Sequence, residues 1–161
     1  MRFLVDSNIV IDLLARREPF CADAELLFLC GAVGEHELWI TSAQANDIFY
    51  VLSGGAASGG TVSGGTARSH TREIVKSLRL LRRVVHICGI DEEDFDAALE
   101  STFDDFEDAC VHQAALKVRA DAIITRDAQG FARSSIKVFD CSQLFEWLAA
   151  EHGRTYDELV M

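Results

Sequence analysis

The sequence predicts an α/β domain on a mainly parallel sheet. Three observations lead there. Short apolar runs of three to five residues alternate with longer stretches of helical periodicity. The 161 residues are 49% hydrophobic and 25% charged, the proportions of one globular domain with one sizeable core. Acids or hydroxyls recur just after the short runs, where open parallel sheets place their ligands.

The elements follow in chain order. Residues 3–5 read as a buried strand, and residues 9–14 and 22–30 as helices on either side of the only proline, Pro19. Residues 38–41 read as the next strand, with Ser42 capping a helix that runs to Leu52. Residues 74–81 are helical by their apolar spacing at 74, 75, 78 and 81, and 84–88 is a strand. Residues 92–100 and 106–118 are helices. Strands follow at 122–125 and 136–139, and Ser142 caps a last helix that reaches Leu148.

Between Ser53 and Thr66 the composition changes. Ser-Gly-Gly recurs at 53–55, 58–60 and 63–65, and six of the eleven glycines fall in this window. Such a segment buries little and loses much entropy on ordering, which predicts a flexible loop at 53–66 inside one domain spanning 1–150. A domain linker is the alternative. Residues 151–161 are expected to form a C-terminal tail.

Charge and cysteines narrow the classes. The 26 acids and 15 Lys and Arg give a net charge of −11, which disfavours general affinity for phosphate backbones. Ten acids crowd between Asp91 and Asp108, and six basic residues lie between Arg68 and Arg83 with Glu73 as the only acid among them. Five cysteines without a CxxC pair predict reduced thiols, and neither a disulfide framework nor a zinc site. No apolar run is long enough to span a bilayer, and Asp6 interrupts the first one. A cytoplasmic protein without a membrane partner is expected.

The chemistry is expected at the sheet's carboxyl edge. Asp6 follows the first strand, Asp127 comes two residues after the fourth, and Asp47 lies on the helix after the second. Asp104, Asp105 and Asp108 begin a helix, where their spacing gathers them on one side. Each acid alone can cap a helix or complement its dipole. Asp47 is harder to explain so, because aspartate is a poor helix former and its neighbours Ile48, Val51 and Leu52 mark an amphipathic helix. Four carboxylates at one edge would repel one another unless a cation offset them, and hard oxygen donors suit Mg²⁺ or Mn²⁺. Arg126 is the one alternative counter-charge in the adjacent segments.

Four segments, "FLVDSNIVIDLL", "ITSAQANDIFYVL", "DDFEDACVHQAALKVRADAIITRDAQGF" and "IKVF", resemble in that order the motifs of PIN-domain ribonucleases, in particular small stand-alone proteins of the VapC type. The resemblance implies a three-layer αβα sandwich. It implies a metal-binding quartet of Asp6, Asp47, Asp108 and Asp127, with Asp6 and Asp127 as direct ligands and Asp47 holding or orienting water. Asn8 and Thr125 would orient waters, and Asp105 would support the site. The activity implied is hydrolysis of RNA phosphodiester bonds with one or two Mg²⁺ or Mn²⁺ ions, and the commonest role is the toxin of a toxin–antitoxin pair. Two departures stand out: position 47 is Asp where Glu is more usual, and the Gly-Ser stretch replaces a tighter connection.

An RNA substrate needs a basic surface. Arg68, Arg72, Lys76, Arg79 and Arg83 advance by three or four residues and form one helical stripe, with Arg126 a further candidate RNA contact. The competing reading pairs the stripe with the acids of 91–108, within the fold or across a homodimer. Two other functions stay open: a PIN-like module that binds RNA or protein without cutting, and a phosphoacceptor signalling domain. The latter expects a lysine after the last strand, where Asp140-Cys141-Ser142 stands instead.

Overall fold

The structure, a computed structural model, describes residues 1–54 and 64–156, without the side chains of 64–69. In chain order the described elements are β1 (Arg2–Val5), α1 (Ser7–Leu14), α2 (Cys21–Ala32), β2 (Glu37–Thr41), α3 (Ser42–Leu52), α4 (Gly64–Leu81), β3 (Val85–Cys88), α5 (Glu92–Leu99), α6 (Phe106–Lys117), β4 (Ala122–Ile124), β5 (Lys137–Phe139) and α7 (Cys141–His152). The strands form one sheet in the order β3-β2-β1-β4-β5, and every pairing is parallel.

Alternation along the strands explains the layers. Phe3 and Val5 of β1, Leu38 and Ile40 of β2, and Ala122 and Ile124 of β4 face one core, with Ile9, Val10, Leu27, Ile48, Leu144 and Leu148 from the helices. Leu4 and Ile123 face the opposite core, with Val111, Ala114, Ala115 and Phe131. A sheet buried on both sides needs apolar residues at every covered position, so residues 3–5 of β1 and all of β4 read as unbroken apolar runs. The result is the expected three-layer α/β sandwich.

This strand order positions the site. From β1 the chain winds outward through β2 and β3, then returns to lay β4 on the other side of β1. The carboxyl ends of β1 and β4 flank that reversal, which opens a crevice in doubly wound sheets.

Several boundaries differ from the sequence expectation. The α3 cap is Thr41, whose side chain accepts from Gln44 N while Gln44 Oε1 accepts from Thr41 N, so Ser42 is already inside the helix. Asp140 likewise caps α7 ahead of Ser142. The α4 helix begins at Gly64, so residues 64–66 of the expected loop are helical; residues 55–63 lie outside the described residues. The α7 helix continues to His152, and beyond it Tyr156 Oη lies 2.7 Å from His36 Nε2. All five cysteines are free, and no helix among the described residues is long and apolar enough to cross a membrane.

Candidate functional site

Asp6 organises the crevice. Its backbone leaves β1 in an extended conformation, and Oδ1 caps α1 by accepting from Ser7 N at 2.6 Å. Oδ2 accepts from Asn8 Nδ2 and from Thr125 Oγ1, both at 2.6 Å. Gln44 Nε2, from α3, donates to Val5 O at 3.2 Å beneath the same carboxylate. Asp6 is 7% exposed, and burial raises its carboxyl pKa, with the Thr125 hydroxyl opposing the shift. Most of its acceptor capacity is already used by protein donors.

Thr125 joins this hub to the exit of β4. Its hydroxyl also accepts from Asp127 N at 2.9 Å and Asn8 Nδ2 at 3.0 Å, and Asn8 Oδ1 accepts from Arg126 N at 3.2 Å. Asp127 Oδ1 accepts from Gly130 N at 2.9 Å, and Oδ2 accepts no hydrogen bond among the described residues. Asp108 and Asp127 both press on Gly130: a Cβ there would meet Oδ2 of each carboxylate.

The acids sense one another. Burial, followed by Asp105, Asp6, Asp127 and Glu107, pushes the Asp108 carboxyl up to about 6. Glu107 is raised as well, by burial and then by Asp47, Asp6 and Asp105. Asp6, Asp108 and Asp127 therefore belong to one electrostatic cluster, and Asp47 enters it through Glu107. Among the described residues, the Asp47 and Asp108 carboxylates accept no hydrogen bond and make no ion pair. Asp105 caps α6 by accepting from Glu107 N and Asp108 N. Asp104 pairs instead with Arg133 at 3.3 Å.

Sequence reasoning missed Glu107, Gln44 and Gly130. Glu107 stands beside Asp108 in the first turn of α6, where it reads as a dipole-complementing acid. Gln44 was legible only as the third residue of a capping box after Thr41.

Arg126 turns away from the cluster, with Nε 2.6 Å from Asp12 Oδ2 and its guanidinium 4.3 Å above the Phe20 ring. Arg72, Lys76 and Arg79 are exposed on α4, Arg83 follows the helix end, and the Arg68 side chain lies outside the described residues. None of these four pairs with an acid among the described residues, while Asp91 and Asp94 of the acidic run hold Lys117 at 2.5 and 2.6 Å. The pairing of stripe with acidic run inside one chain is therefore absent among the described residues.

The donor set suits a hard divalent cation: oxygen donors only, several carboxylates, and an Asp108 pKa raised first by burial and then by the neighbouring acids. Among the described residues, no three acidic, His or Cys side chains stand close enough to grip an ion as they lie. Asp47, Asp108 and Asp127 Oδ2 are the carboxylates free to turn toward one.

Solved structures with the same fold include PAE2754 from Pyrobaculum aerophilum, 19% identical with a TM-score of 0.57, covering 94% of this chain and 91% of that one. VapBC-1 from nontypeable Haemophilus influenzae is 14% identical with a TM-score of 0.58, covering 88% and 99%. VapBC2 from Rickettsia felis, solved bound to a DNA fragment from their promoter, is 13% identical with a TM-score of 0.57, covering 87% and 98%. At these identities the likeness shows the fold. No curated protein matches the chain. The PIN domain family model matches residues 2–129, from the first strand through the β4 exit that carries Thr125 and Asp127, and the chain belongs to the PIN domain family.

Proposed function

We propose that this protein is a metal-dependent ribonuclease using Mg²⁺ or Mn²⁺, and that it serves as the toxin of a toxin–antitoxin pair with an antitoxin protein as partner. One observation carries the catalytic part: a cluster of mutually repelling carboxylates stands at the sheet's reversal point, with Asp108 pushed up to about 6. Membership of a family whose nucleases use divalent ions supports it, and the structural likeness to VapBC2 and VapBC-1 supports the toxin role.

Asp6, Asp108 and Asp127 would hold the ion, with Asp47 reaching from α3. Bound there, a divalent ion acts as a Lewis acid that activates water and offsets charge on the phosphodiester. Asn8 and Thr125 hold Asp6 in one rotamer, so its carboxylate is oriented before the substrate arrives. Glu107 and Asp108, both raised by burial and by neighbouring acids, are the carboxyls placed to take up a proton. Arg72, Lys76 and Arg79 would carry the RNA backbone along α4.

The test is cleavage of single-stranded RNA by the wild type and by Asp108→Asn with Asp127→Asn, in Mn²⁺ and in EDTA. Cleavage only by wild type in Mn²⁺ is expected. Equal cleavage by both proteins, or cleavage that survives EDTA, would overturn the assignment. Binding of RNA without cleavage across substrates would favour the non-catalytic module.

A further inference from the structure

We infer that Asp12 is a positioning residue: through Arg126 it holds the β4 exit that carries Thr125 and Asp127 against α1. Asp12 is 0% exposed, in the middle of a helix, and takes no part in the carboxylate cluster. A buried carboxylate is tolerated only with a compensating partner. Its near partner is Arg126, with Nε at 2.6 Å from Oδ2; Arg17 stands at 4.0 Å from Oδ1. Neither Asp12 oxygen has an aligned hydrogen bond, so the compensation is chiefly the charge of Arg126.

The place of Arg126 in the chain gives this pair its consequence. It is the single residue between Thr125 and Asp127, so whatever fixes it fixes both neighbours. Asn8 and Asp12 lie four residues apart, on one face of α1. Asn8 Oδ1 takes the backbone N–H of Arg126 at 3.2 Å, and Asp12 takes its guanidinium. Phe20 closes the other side, with the guanidinium 4.3 Å above its ring. One helix face thus grips residue 126 at both main chain and side chain. Released from Asp12, Arg126 keeps, among the described residues, the Asn8 contact and the Phe20 ring, and the Asp127 N–H bond to Thr125 Oγ1 loses its support.

Amide hydrogen exchange by NMR on the full chain, without metal, tests the grip directly. In Asp12→Asn and in Arg126→Gln, the amides of Arg126 and Asp127 should exchange about tenfold faster or more, while those of the β1 and β4 strands change far less. Arg126→Lys, which keeps the cation, should stay near the wild type. Uniformly faster exchange, or wild-type protection at 126 and 127 in both variants, would reduce Asp12 to a core ion pair and overturn the proposal. If Asp12→Asn does not fold, Arg126→Gln against Arg126→Lys makes the same comparison from the exposed end.

The consequence for cations rests on the metal-centre reading above. The Mn²⁺ dissociation constant, measured well below the melting temperature, should rise about 10–100-fold in Asp12→Asn. A wild type that binds no Mn²⁺ would remove the metal reading, and the exchange experiment would still decide the grip.

Discussion

Thr125 Oγ1 donates to Asp6 Oδ2 at 2.6 Å, a hydrogen bond between residues 119 positions apart that ties the exit of β4 to the exit of β1. These strands are parallel neighbours, with Val5 opposite Ile124, so each chain leaves the sheet at the same height. One hydroxyl there can reach the carboxylate on one side and accept the Asp127 amide on the other.

Thr125→Val keeps the shape and removes both contacts. It leaves a buried carboxylate oxygen with Asn8 alone and the Asp127 amide without its acceptor, a loss of about 1–3 kcal/mol. Urea unfolding should show this deficit, and Thr125→Ser should recover most of it. An unaltered midpoint for Thr125→Val would mean that water replaces the hydroxyl freely.

Asp108→Asn should act in opposite directions with and without metal. Free of metal, it removes one charge from a cluster whose members repel, so the melting temperature should rise. With Mn²⁺ present, the wild type should gain stability by mass action, and the variant should gain less. A melting temperature that falls without metal would show that Asp108 contributes something other than repulsion.

The acids beside strand ends were legible in the sequence because periodicity locates strand ends and open sheets bind there. That reasoning reaches Asp6 and Asp127, which need only local information, whereas the roles of Asn8 and Thr125 came from the resemblance to the PIN-domain motifs. It does not reach partners set by three-dimensional packing. Asp12 sits in an apolar helix as "IVIDLL", and nothing local says that its counter-charge is Arg126. Gly130 looks like an ordinary loop glycine until two carboxylates are seen against it. The start of α4 was hidden because Gly64 and Gly65 weaken the local helix signal.

Stability should also depend on His36. It is 4% exposed, and burial lowers its pKa to about 4 from the ordinary 6.5. The unfolded chain then binds the proton first, so the stabilising term is whole above about pH 6.5 and is lost as pH falls toward 4. The loss amounts to at most about 3 kcal/mol. Urea midpoints between pH 7 and 4.5 should fall more steeply for wild type than for His36→Phe. Parallel slopes would show that other groups carry the acid sensitivity.

The exposed stripe on α4 makes a salt-dependent prediction. If Arg72, Lys76 and Arg79 follow the RNA backbone, changing all three to Gln should weaken RNA binding. The slope of log affinity against log salt should then shrink by about 0.7 for each lost phosphate contact. The melting temperature should hold, because these side chains make no ion pair among the described residues. A fallen melting temperature or a dissociated oligomer, with the slope intact, would instead assign the stripe to contacts between copies.

Gly130→Ala tests the carboxylate cluster by steric means alone. The added Cβ would lie 2.9 Å from Asp127 Oδ2, 3.2 Å from Asp108 Cγ and closer still to Asp108 Oδ2, so at least one carboxylate must turn aside. The Gly130 φ lies outside the left-handed region, so alanine meets no backbone penalty and the disturbance falls on the two acids. Their short side chains can rotate without unfolding anything, which predicts a melting temperature near wild type. What should change is the response to Mn²⁺: smaller stabilisation, and slower RNA cleavage in proportion. Gly89→Ala is the control, since a Cβ there meets nothing within 4 Å. An Mn²⁺ response kept whole in Gly130→Ala would show that Asp108 and Asp127 need not stand in their present positions to hold an ion, and the cation would then have to be sought nearer Asp47 and Glu107.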